Sequence, residues 1–334
     1  MTILITGAAG FIGMHLAEAL LGRGHRVVGI DNLNDYYDPA LKLARLARLQ
    51  SRPEFHFEHL DVADPRSSEL IRGGEFDAVV HLAAQAGVRF SIDAPLAYNA
   101  ANLTGFTHVL EGCRHGRVPH LVFVSSSSVY GGNRRLPFRE TDCTDHPVSF
   151  YAATKKANEA MAHSYAHLYG LPCTGLRFFT VYGPWGRPDM AAYKFALKIA
   201  AGEPIDVYNH GRMRRDFTYI DEIVAGILGV LDHPAQSDPQ FDIMHPRGGA
   251  SWAPYRLFNI GGANPVGLME FIALLEKHLS RKAEMRLLPM QPGDVEETYA
   301  DTSALEQLIG PIPRTGLDEG LARFVTWFKS YHGV

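Results

Sequence analysis

The stretch that decides the fold lies at the start of the chain and reads Thr2-Ile3-Leu4-Ile5-Thr6-Gly7-Ala8-Ala9-Gly10-Phe11-Ile12-Gly13-Met14-His15. Its apolar run is typical of a β-strand, and the spacing of apolar residues after Gly10 is typical of a helix. Gly7 permits a sharp turn, Gly10 lets a pyrophosphate approach the backbone, and Gly13 lets the helix pack closely on the strand. The N–H groups at the start of that helix would then bind phosphate. The stretch predicts a dinucleotide-binding turn, with a plain strand-to-helix turn as the alternative.

A second predicted strand, residues 25–31, ends in an acid, Asp31. A carboxylate at this place accepts hydrogen bonds from the adenosine ribose and repels the 2′-phosphate of NADP. The sequence therefore predicts NAD as the cofactor. A third strand, residues 55–62, brings Asp61 and Val62 to the adenine end of the same site.

Composition narrows the class of protein. The chain has 334 residues, of which 46% are hydrophobic and 20% charged, with a net charge of −4. This balance gives no reason to expect a nucleic acid or an acidic membrane surface as partner, and no apolar run approaches the ~20 residues that span a bilayer. The three cysteines are odd in number and far apart, which favours thiols in a reducing compartment. The histidines form no metal-binding motif, and because the first strand begins at residue 2, we expect a cytoplasmic protein without a metal or signal peptide.

Strand and helix patterns alternate up to about residue 179. Further strands are predicted at 77–84, 120–124 and 174–179, and helices at 40–49, 65–72, 95–113 and 150–170. This alternation predicts an α/β fold with a doubly wound (Rossmann) parallel sheet. The basic residues Lys42, Arg45 and Arg48 are expected on a solvated face of the 40–49 helix.

The second half of the chain is less regular and richer in Pro and Gly. We predict an NAD-binding domain over residues 1–179 and a smaller, mixed α/β substrate domain over residues 180–334. Within the latter, a helix at 220–231 and part of 217–262 are expected to pack back on the sheet, and 234–254 reads as an exposed loop.

A second motif carries candidate chemistry. Tyr151 and Lys155 lie four residues apart and so share one helix face. A neighbouring cation is expected to lower the tyrosine pKa from its usual value of about 10. Ser126 ends a strand at the carboxyl edge, where open α/β sheets bind ligands. A serine, a phenol and a lysine around a nicotinamide can relay a proton in alcohol–ketone redox chemistry. The alternatives are an ordinary surface-helix pair and a polar turn.

These motifs together resemble the extended short-chain dehydrogenase/reductase family. Segments 32–38, 177–190 and 291–295 are similar to those of its nucleotide-sugar 4-epimerases, most of all those acting on UDP-glucuronate. The similarity covers essentially the whole chain. It implies that Tyr151 removes the proton of the sugar 4-hydroxyl while hydride passes from C4 to NAD. Ser126 would bind the same oxygen and Lys155 the nicotinamide ribose. The 4-keto sugar would then turn and receive the hydride on its other face, so that NAD is restored in each cycle and UDP-glucuronate becomes UDP-galacturonate.

The resemblance also implies two sets of contacts. The residues expected at NAD are Gly7, Gly10, Phe11, Ile12, Gly13, Asp31, Asn32, Asp61, Val62, Leu82, Ala83, Ala84, Asn102, Ser125, Tyr151, Lys155 and Phe178. Those expected at the UDP-sugar are Arg89, Ser126, Ser127, Ser128, Tyr151, Thr180, Arg187, Val207, Tyr208, Arg215 and Asp294. Among them, Arg215 matches the diphosphate arginine, Asp294 the acid at the uridine ribose, and Val207 with Tyr208 would flank the uracil. Gln291 stands where galactose epimerases often have an arginine, so that contact does not carry over.

A uronic acid sets an additional requirement. Oxidation at C4 makes a β-keto acid, which loses CO2 when its carboxylate bond turns perpendicular to the carbonyl, so the carboxylate must be held. Thr180, Ser127, Ser128 and Arg187 are candidates, although Arg187 could instead be a salt-bridged loop residue. Related dehydratases and decarboxylases carry acidic residues just after the Ser126 position. The two serines here favour epimerisation.

Other functions stay open at this stage. They are 4-epimerisation of another UDP-hexose (UDP-glucose or UDP-N-acetylglucosamine), decarboxylation of UDP-glucuronate, and a catalytically silent NAD-binding regulator. Family resemblance also suggests a homodimer formed through the helices near 95–113 and 150–168, which would need apolar outer faces.

Overall fold

The structure is a computed structural model that describes residues 1–291 and 293–334. The strands are β1 (Thr2–Thr6), β2 (Arg26–Asp31), β3 (Phe55–His59), β4 (Ala78–His81), β5 (Leu121–Ser126), β6 (Cys173–Phe178), β7 (Thr180–Tyr182), β8 (Ile205–Val207), β9 (Arg214–Tyr219), β10 (Tyr255–Ile260), β11 (Pro265–Gly267) and β12 (Met285–Leu287). The α-helices are α1 (Phe11–Gly22), α2 (Pro39–Gln50), α3 (Arg66–Gly73), α4 (Phe90–Asp93), α5 (Pro95–Tyr98), α6 (Gly105–Gly116), α7 (Phe150–Tyr169), α8 (Ala191–Ala201), α9 (Ile220–Leu231), α10 (Leu268–Leu279), α11 (Ser303–Ile309) and α12 (Leu317–His332).

A seven-stranded parallel sheet runs through the centre of the molecule in the order β10-β6-β5-β4-β1-β2-β3. The chain winds outward in one direction from β1 to β3 and in the other from β4 to β10, so the strand order reverses between β1 and β4. Ligands of open α/β sheets bind at the carboxyl edge beside such a reversal. The predicted doubly wound fold is confirmed.

Side-chain alternation on β1 shows why both faces of the sheet are covered by helices. Ile3 and Ile5 belong to a buried cluster with residues of α1, α2 and α9, whereas Leu4 belongs to a second cluster with residues of α3, α6 and α7. Successive side chains of a strand point to opposite faces, so an all-apolar strand needs a helical layer on each side. The two layers position every strand end that forms the site.

The glycine turn after β1 is sterically fixed. Gly7 has φ of +74°, and a Cβ built on it would lie 2.8 Å from the backbone nitrogen of Ala83. A Cβ on Gly13 would lie 2.1 Å from the carbonyl oxygen of Gly7. The turn therefore brings α1 against β1 and β4 at a distance that no larger residue permits.

The second half forms two small sheets and returns to the large one. A three-stranded sheet has the order β11-β9-β7, and β8 pairs with β12. β10 lies parallel to β6 at the edge of the large sheet, and α9 contributes Ile223 and Ile227 to the same core cluster as α1.

Three predicted elements differ from the observed ones. The strand expected over 55–62 ends at His59. The strand expected over 77–84 ends at His81, because the backbone N–H of Ala83 turns to the Thr6 hydroxyl at 3.1 Å instead of continuing the ladder. The helix expected over 95–113 consists of α5, a π-helical turn at Asn99–Thr104 and α6, and it extends to Gly116.

Within residues 1–291 and 293–334, no helix is both long and apolar enough to cross a membrane. The same residues bring no three His, Cys, Asp or Glu side chains together where they could hold a metal ion. Cys113, Cys143 and Cys173 are unpaired, and two of them are buried.

Candidate active site

A cavity of about 430 Å³ opens at the carboxyl edge of the large sheet and is closed on its far side by the second half of the chain. Most of the predicted contact residues line it. These are Gly7, Gly10, Phe11, Ile12, Gly13, Asp31, Asn32, Asp61, Val62, Leu82, Ala83, Ala84, Ser125, Ser126, Ser127, Ser128, Tyr151, Lys155, Phe178, Thr180, Arg187, Arg215 and Asp294.

The dinucleotide end of the cavity is built around the start of α1. Gly10 caps this helix without any side-chain hydrogen bond, and the first turn holds no acidic residue. The N–H groups and the positive end of the helix dipole are therefore free for a pyrophosphate. This arrangement, with glycines that no Cβ could replace, fits NAD.

Asp31 is fixed at the end of β2 by two backbone N–H groups. Its carboxylate accepts hydrogen bonds from the N–H of Ala9 at 3.1 Å and of Leu33 at 2.9 Å. Each carboxylate oxygen can accept a further bond, so Asp31 can still receive a ribose hydroxyl. Asp61 lies at the next strand end, where it accepts a hydrogen bond from the Asn32 side chain at 2.8 Å.

Tyr151 and Lys155 lie on the first turns of α7, which begins where the Ser149 hydroxyl accepts a hydrogen bond from the N–H of Ala152 at 3.1 Å. The Lys155 ammonium donates to the carbonyl of Val124 on β5 at 2.8 Å. Burial lowers the pKa of Lys155 to about 8, although Glu159 opposes this. The lysine is thus held at the sheet edge beside the tyrosine.

Ser126 is the polar partner of Tyr151. Its Oγ accepts hydrogen bonds from the Ser128 hydroxyl at 2.9 Å and the Ser128 N–H at 3.2 Å. With both lone pairs engaged, the Ser126 hydroxyl proton is the group left to donate toward the cavity.

The pKa of Tyr151 differs from the prediction. Burial raises it, and only part of this rise is offset by hydrogen bonding with Ser126 and by the positive charge of Arg187. The sequence predicts that Lys155 lowers this pKa, but the net shift is upward, because desolvation of the phenolate outweighs the hydrogen bond with Ser126 and the charge of Arg187.

A buried network behind the site was not predicted. Arg177 on β6 pairs with Glu159 on α7 through two hydrogen bonds of 2.8 and 2.9 Å. Glu159 also accepts a hydrogen bond from the Ser125 hydroxyl at 2.7 Å, and Arg177 donates to the Tyr130 hydroxyl at 3.0 Å. The network fixes α7, and with it Tyr151, against the strand that carries Ser126.

Arg187 borders the cavity and is also salt-bridged, which was the alternative to its predicted role at the sugar carboxylate. Its Nε and Nη2 donate to the Asp189 carboxylate at 3.0 and 2.5 Å. Tyr36, from the loop after β2, donates its hydroxyl proton to the same carboxylate at 3.3 Å. Neither Tyr36 nor Asp189 was predicted as a site residue; their positions within the segments 32–38 and 177–190 were the available signal.

The other end of the cavity is bounded by the segment around Asp294. Arg89 pairs with Asp294 at 2.9 Å and places its guanidinium 4.7 Å from the centre of the Tyr208 ring. Arg215 donates to the carbonyls of Val295 at 2.6 Å and Glu296 at 3.0 Å. Arg215 therefore fixes the backbone that follows Asp294, and Arg89 holds the Asp294 carboxylate. Pro292, in the predicted segment 291–295, lies outside the described residues.

Four predicted contact residues do not line the cavity. Asn102 is buried behind its wall, where its amide donates to the carbonyl of Gln85 and the hydroxyl of Thr154, both at 3.0 Å. Val207 is fully buried in the apolar core, so its side chain cannot flank a uracil. Arg89 and Tyr208 contact Asp294 or each other beside the cavity. Sequence spacing gave no information about which face of each element these side chains occupy.

The prediction of a solvated basic face on α2 is wrong for two of its three residues. Lys42 and Arg45 are buried, and only Arg48 is exposed. Arg45 donates to the carbonyl oxygens of Ala9, Trp185 and Gly186 at 3.2, 2.6 and 3.1 Å. One guanidinium therefore joins the glycine turn to the segment that carries Arg187.

Comparison with known proteins identifies the family. The model of the NAD dependent epimerase/dehydratase family matches residues 3–244, and the chain belongs to this family. It is 48% identical over 339 residues to UDP-glucuronate 4-epimerase 1 of Arabidopsis thaliana, covering 100% of this chain and 78% of that protein. It is 47% identical over 333 residues to a probable UDP-glucuronate 4-epimerase of Rhizobium meliloti, covering 98% and 97% of the two chains.

Solved structures agree with this assignment. UDP-glucuronic acid 4-epimerase from Bacillus cereus, in complex with UDP-glucuronic acid and NAD, matches with a TM-score of 0.88 at 32% identity, covering 99% of this chain and 100% of that chain. The prediction of an NAD-dependent nucleotide-sugar epimerase fold is confirmed.

Arg45 provides a test of how the two walls of the cavity are joined. Arg45→Met leaves three carbonyls without their donor, and we expect the free energy of unfolding to fall by about 2–4 kcal/mol and copurified NAD to be lost. Arg48→Met on the same helix removes a surface pair with Glu18 and the contact of its guanidinium with the Trp185 ring but no buried hydrogen bond, and should cost about 1 kcal/mol. Urea denaturation and NAD content measure both effects. Equal losses in the two variants would contradict this role of Arg45.

Proposed function

We propose that this protein is an NAD-dependent UDP-glucuronate 4-epimerase. The observation that carries the proposal is that Arg187 borders the same cavity as Tyr151. A guanidinium beside the reacting position, paired with Asp189 through two of its three nitrogens, can still donate to a carboxylate on C5, next to the C4 hydroxyl of a sugar. UDP-glucuronate has this carboxylate, whereas UDP-glucose and UDP-N-acetylglucosamine have no carboxylate on C5.

The chain's own residues account for the proton chemistry. Tyr151 accepts the proton of the C4 hydroxyl as phenolate, and the Ser126 hydroxyl, whose oxygen is already engaged by Ser128, donates a hydrogen bond to the same sugar oxygen. Lys155 is held beside the ribose site by Val124. When bound, NAD takes the hydride from C4 and returns it. Tyr151 then gives the proton back to the C4 oxygen, so the enzyme ends each cycle unchanged.

The same cavity favours retention of the carboxylate. Thr180 and Ser127 supply hydroxyl groups and Arg187 a guanidinium to the cavity, which Ser128 also lines. These groups can hold the carboxylate near the plane of the C4 ketone, where the bond to CO2 does not break. No acidic side chain follows Ser126 to protonate a leaving group, which disfavours elimination of water.

We further propose that the site is shared between two domains, residues 1–179 for NAD and 180–334 for the UDP-sugar. In support, the glycine turn, Asp31 and Tyr151 come from the first range, and Thr180, Arg187, Arg215 and Asp294 from the second. The unpaired state of the three cysteines supports a cytoplasmic location.

The direct test is product analysis with purified protein. Incubation with UDP-glucuronate should give UDP-galacturonate on chromatography, without UDP-pentose, and UDP-glucose should react far more slowly. Tyr151→Phe should lower the rate by about 10²–10⁴-fold while NAD stays bound, because it removes the proton acceptor and little volume. Faster turnover of UDP-glucose than of UDP-glucuronate, or an active Tyr151→Phe variant, would contradict the proposal.

The pH profile tests the proton path. The phenolate is the active form of Tyr151, so the rate should rise with pH. Burial raises the pKa of Tyr151, and the hydrogen bond with Ser126 lowers it. In Ser126→Ala the pKa rises further, so the rising part of the profile should move to higher pH and the rate should fall about tenfold or more. Ser164→Ala, which removes an exposed hydroxyl on α7, the helix of Tyr151, serves as the control. An unmoved profile in Ser126→Ala would contradict this role.

We also propose a homodimer formed through α5–α6 and α7. In support, these helices expose Leu96 (81%), Leu168 (64%) and Phe150 (42%) on the single chain. A second copy is the partner that would cover such apolar side chains. For the double variant Leu96→Glu/Leu168→Glu we expect light scattering to give half the mass of the parent protein. The control is Leu287→Glu on β12, a side chain exposed to 55%, which should leave the mass unchanged. A parent mass equal to one chain would refute the proposal.

A further inference from the structure

The Arg187 side chain faces the cavity with most of its binding capacity already used. Two of its three nitrogens, Nε and Nη2, are taken by the Asp189 carboxylate. Among the described residues, Nη1 has no hydrogen-bond partner. A sugar carboxylate can therefore make a single-nitrogen contact with Arg187, whereas a free arginine offers a two-nitrogen fork.

The pair also carries no net charge. Although burial acts to raise the pKa of Asp189, the adjacent Arg187 outweighs it and holds that pKa below its usual range. Asp189 is thus ionised at neutral pH and cancels the charge of Arg187. The attraction that a substrate carboxylate feels is correspondingly weaker than toward an isolated arginine.

Asp189 is in turn held from the opposite wall of the site. Tyr36 donates its hydroxyl proton to Asp189 at 3.3 Å, and its ring packs on Phe90 with centroids 5.0 Å apart. The loop after β2 therefore fixes the carboxylate that fixes Arg187. A salt bridge between Arg187 and Asp189 alone would not need the hydrogen bond from Tyr36, which adds a third residue from a distant part of the chain.

The proposed reaction gives this arrangement a use. A 4-epimerase must let the oxidised sugar turn between two orientations, so every contact with it has to be broken and made again within one turnover. An anchor that binds the carboxylate too strongly would stabilise one orientation and slow that step. A weak, well-oriented anchor holds the carboxylate without trapping it.

We propose, on the basis of the proposed function, that Asp189 is a positioning residue that limits how strongly Arg187 binds the sugar carboxylate, and that Tyr36 holds Asp189 in that role. Asp189 therefore sets the balance between substrate affinity and turnover. It acts only on substrates that carry a carboxylate.

The test is the kinetics of Asp189→Asn, which keeps the shape of the side chain and one acceptor oxygen but removes its charge. We expect KM for UDP-glucuronate to fall about threefold to tenfold and kcat to fall about tenfold. Inhibition by UDP-glucose, which has no carboxylate, should stay within about twofold of the parent. Tyr36→Phe should change both constants in the same directions by a smaller factor.

Asp64→Asn is the matched control, because Asp64 pairs with Arg66 through the same two-residue spacing on the surface. It should leave KM and kcat unchanged. A merely structural role of Asp189 would instead raise KM, weaken UDP-glucose inhibition equally and release NAD.

Any of those results, or unaltered kinetics in Asp189→Asn, would overturn the inference. If Asp189→Asn does not fold, an unaltered KM and kcat in Tyr36→Phe would overturn it. Failure of the parent protein to convert UDP-glucuronate at all would instead contradict the proposed function, so the two failures are distinguishable.

Discussion

The buried ion pair between Glu159 and Arg177 is the interaction on which the site depends. Both side chains are almost fully buried, at 3% and 2% exposure, and two hydrogen bonds join them. Buried charges are stable only when paired and fully hydrogen-bonded, and here the hydroxyls of Ser125 and Tyr130 complete the set. Glu159 lies one turn after Lys155 on α7, so the pair holds the helix that carries the base against β6. The hydrogen bond from Ser125 to Glu159 joins the same helix to β5, the strand that carries Ser126.

The charged groups differ between the dinucleotide end and the sugar end of the cavity. At the dinucleotide end, an uncapped helix N-terminus meets phosphate while Asp31 disfavours a second phosphate on the ribose. At the sugar end, Arg187 is present but balanced by Asp189. In the proposed reaction the cofactor stays bound and the sugar must turn, so firm binding is useful at one end and restrained binding at the other. Arg45 donates to the carbonyls of Ala9 and Trp185 and so holds the glycine turn at a fixed distance from the segment that carries Arg187.

The sequence was sufficient for six of the seven strands of the large sheet, because their signals are local, whereas β10 was expected only as part of a segment that packs back on the sheet. Gly13 is required by a backbone contact with Gly7, a few residues away, and the apolar runs of β1 and β4 require cover on both faces. Ser126, Tyr151 and Lys155 could be placed together because strand ends and helix starts meet at one edge of a parallel sheet. All three line the cavity.

Other features depend on contacts between distant segments, and spacing alone could not place them. Arg45 lies among basic residues typical of a surface helix, yet it contacts carbonyls of residues 185 and 186. Val207 and Asn102 were placed on the wrong side of their elements for the same reason. The direction of the Tyr151 pKa shift also follows from burial, which is a property of the folded chain and not of the Tyr–Lys spacing.

The most direct measurement of the central claim is the fate of the hydrogen on C4 of the sugar. UDP-glucuronate labelled with deuterium at C4 should give UDP-galacturonate that keeps the deuterium on C4, because the hydride is held by the resident cofactor and returned to the same carbon. NMR of the product reports the label directly. Replacement of the deuterium by solvent hydrogen would contradict the account.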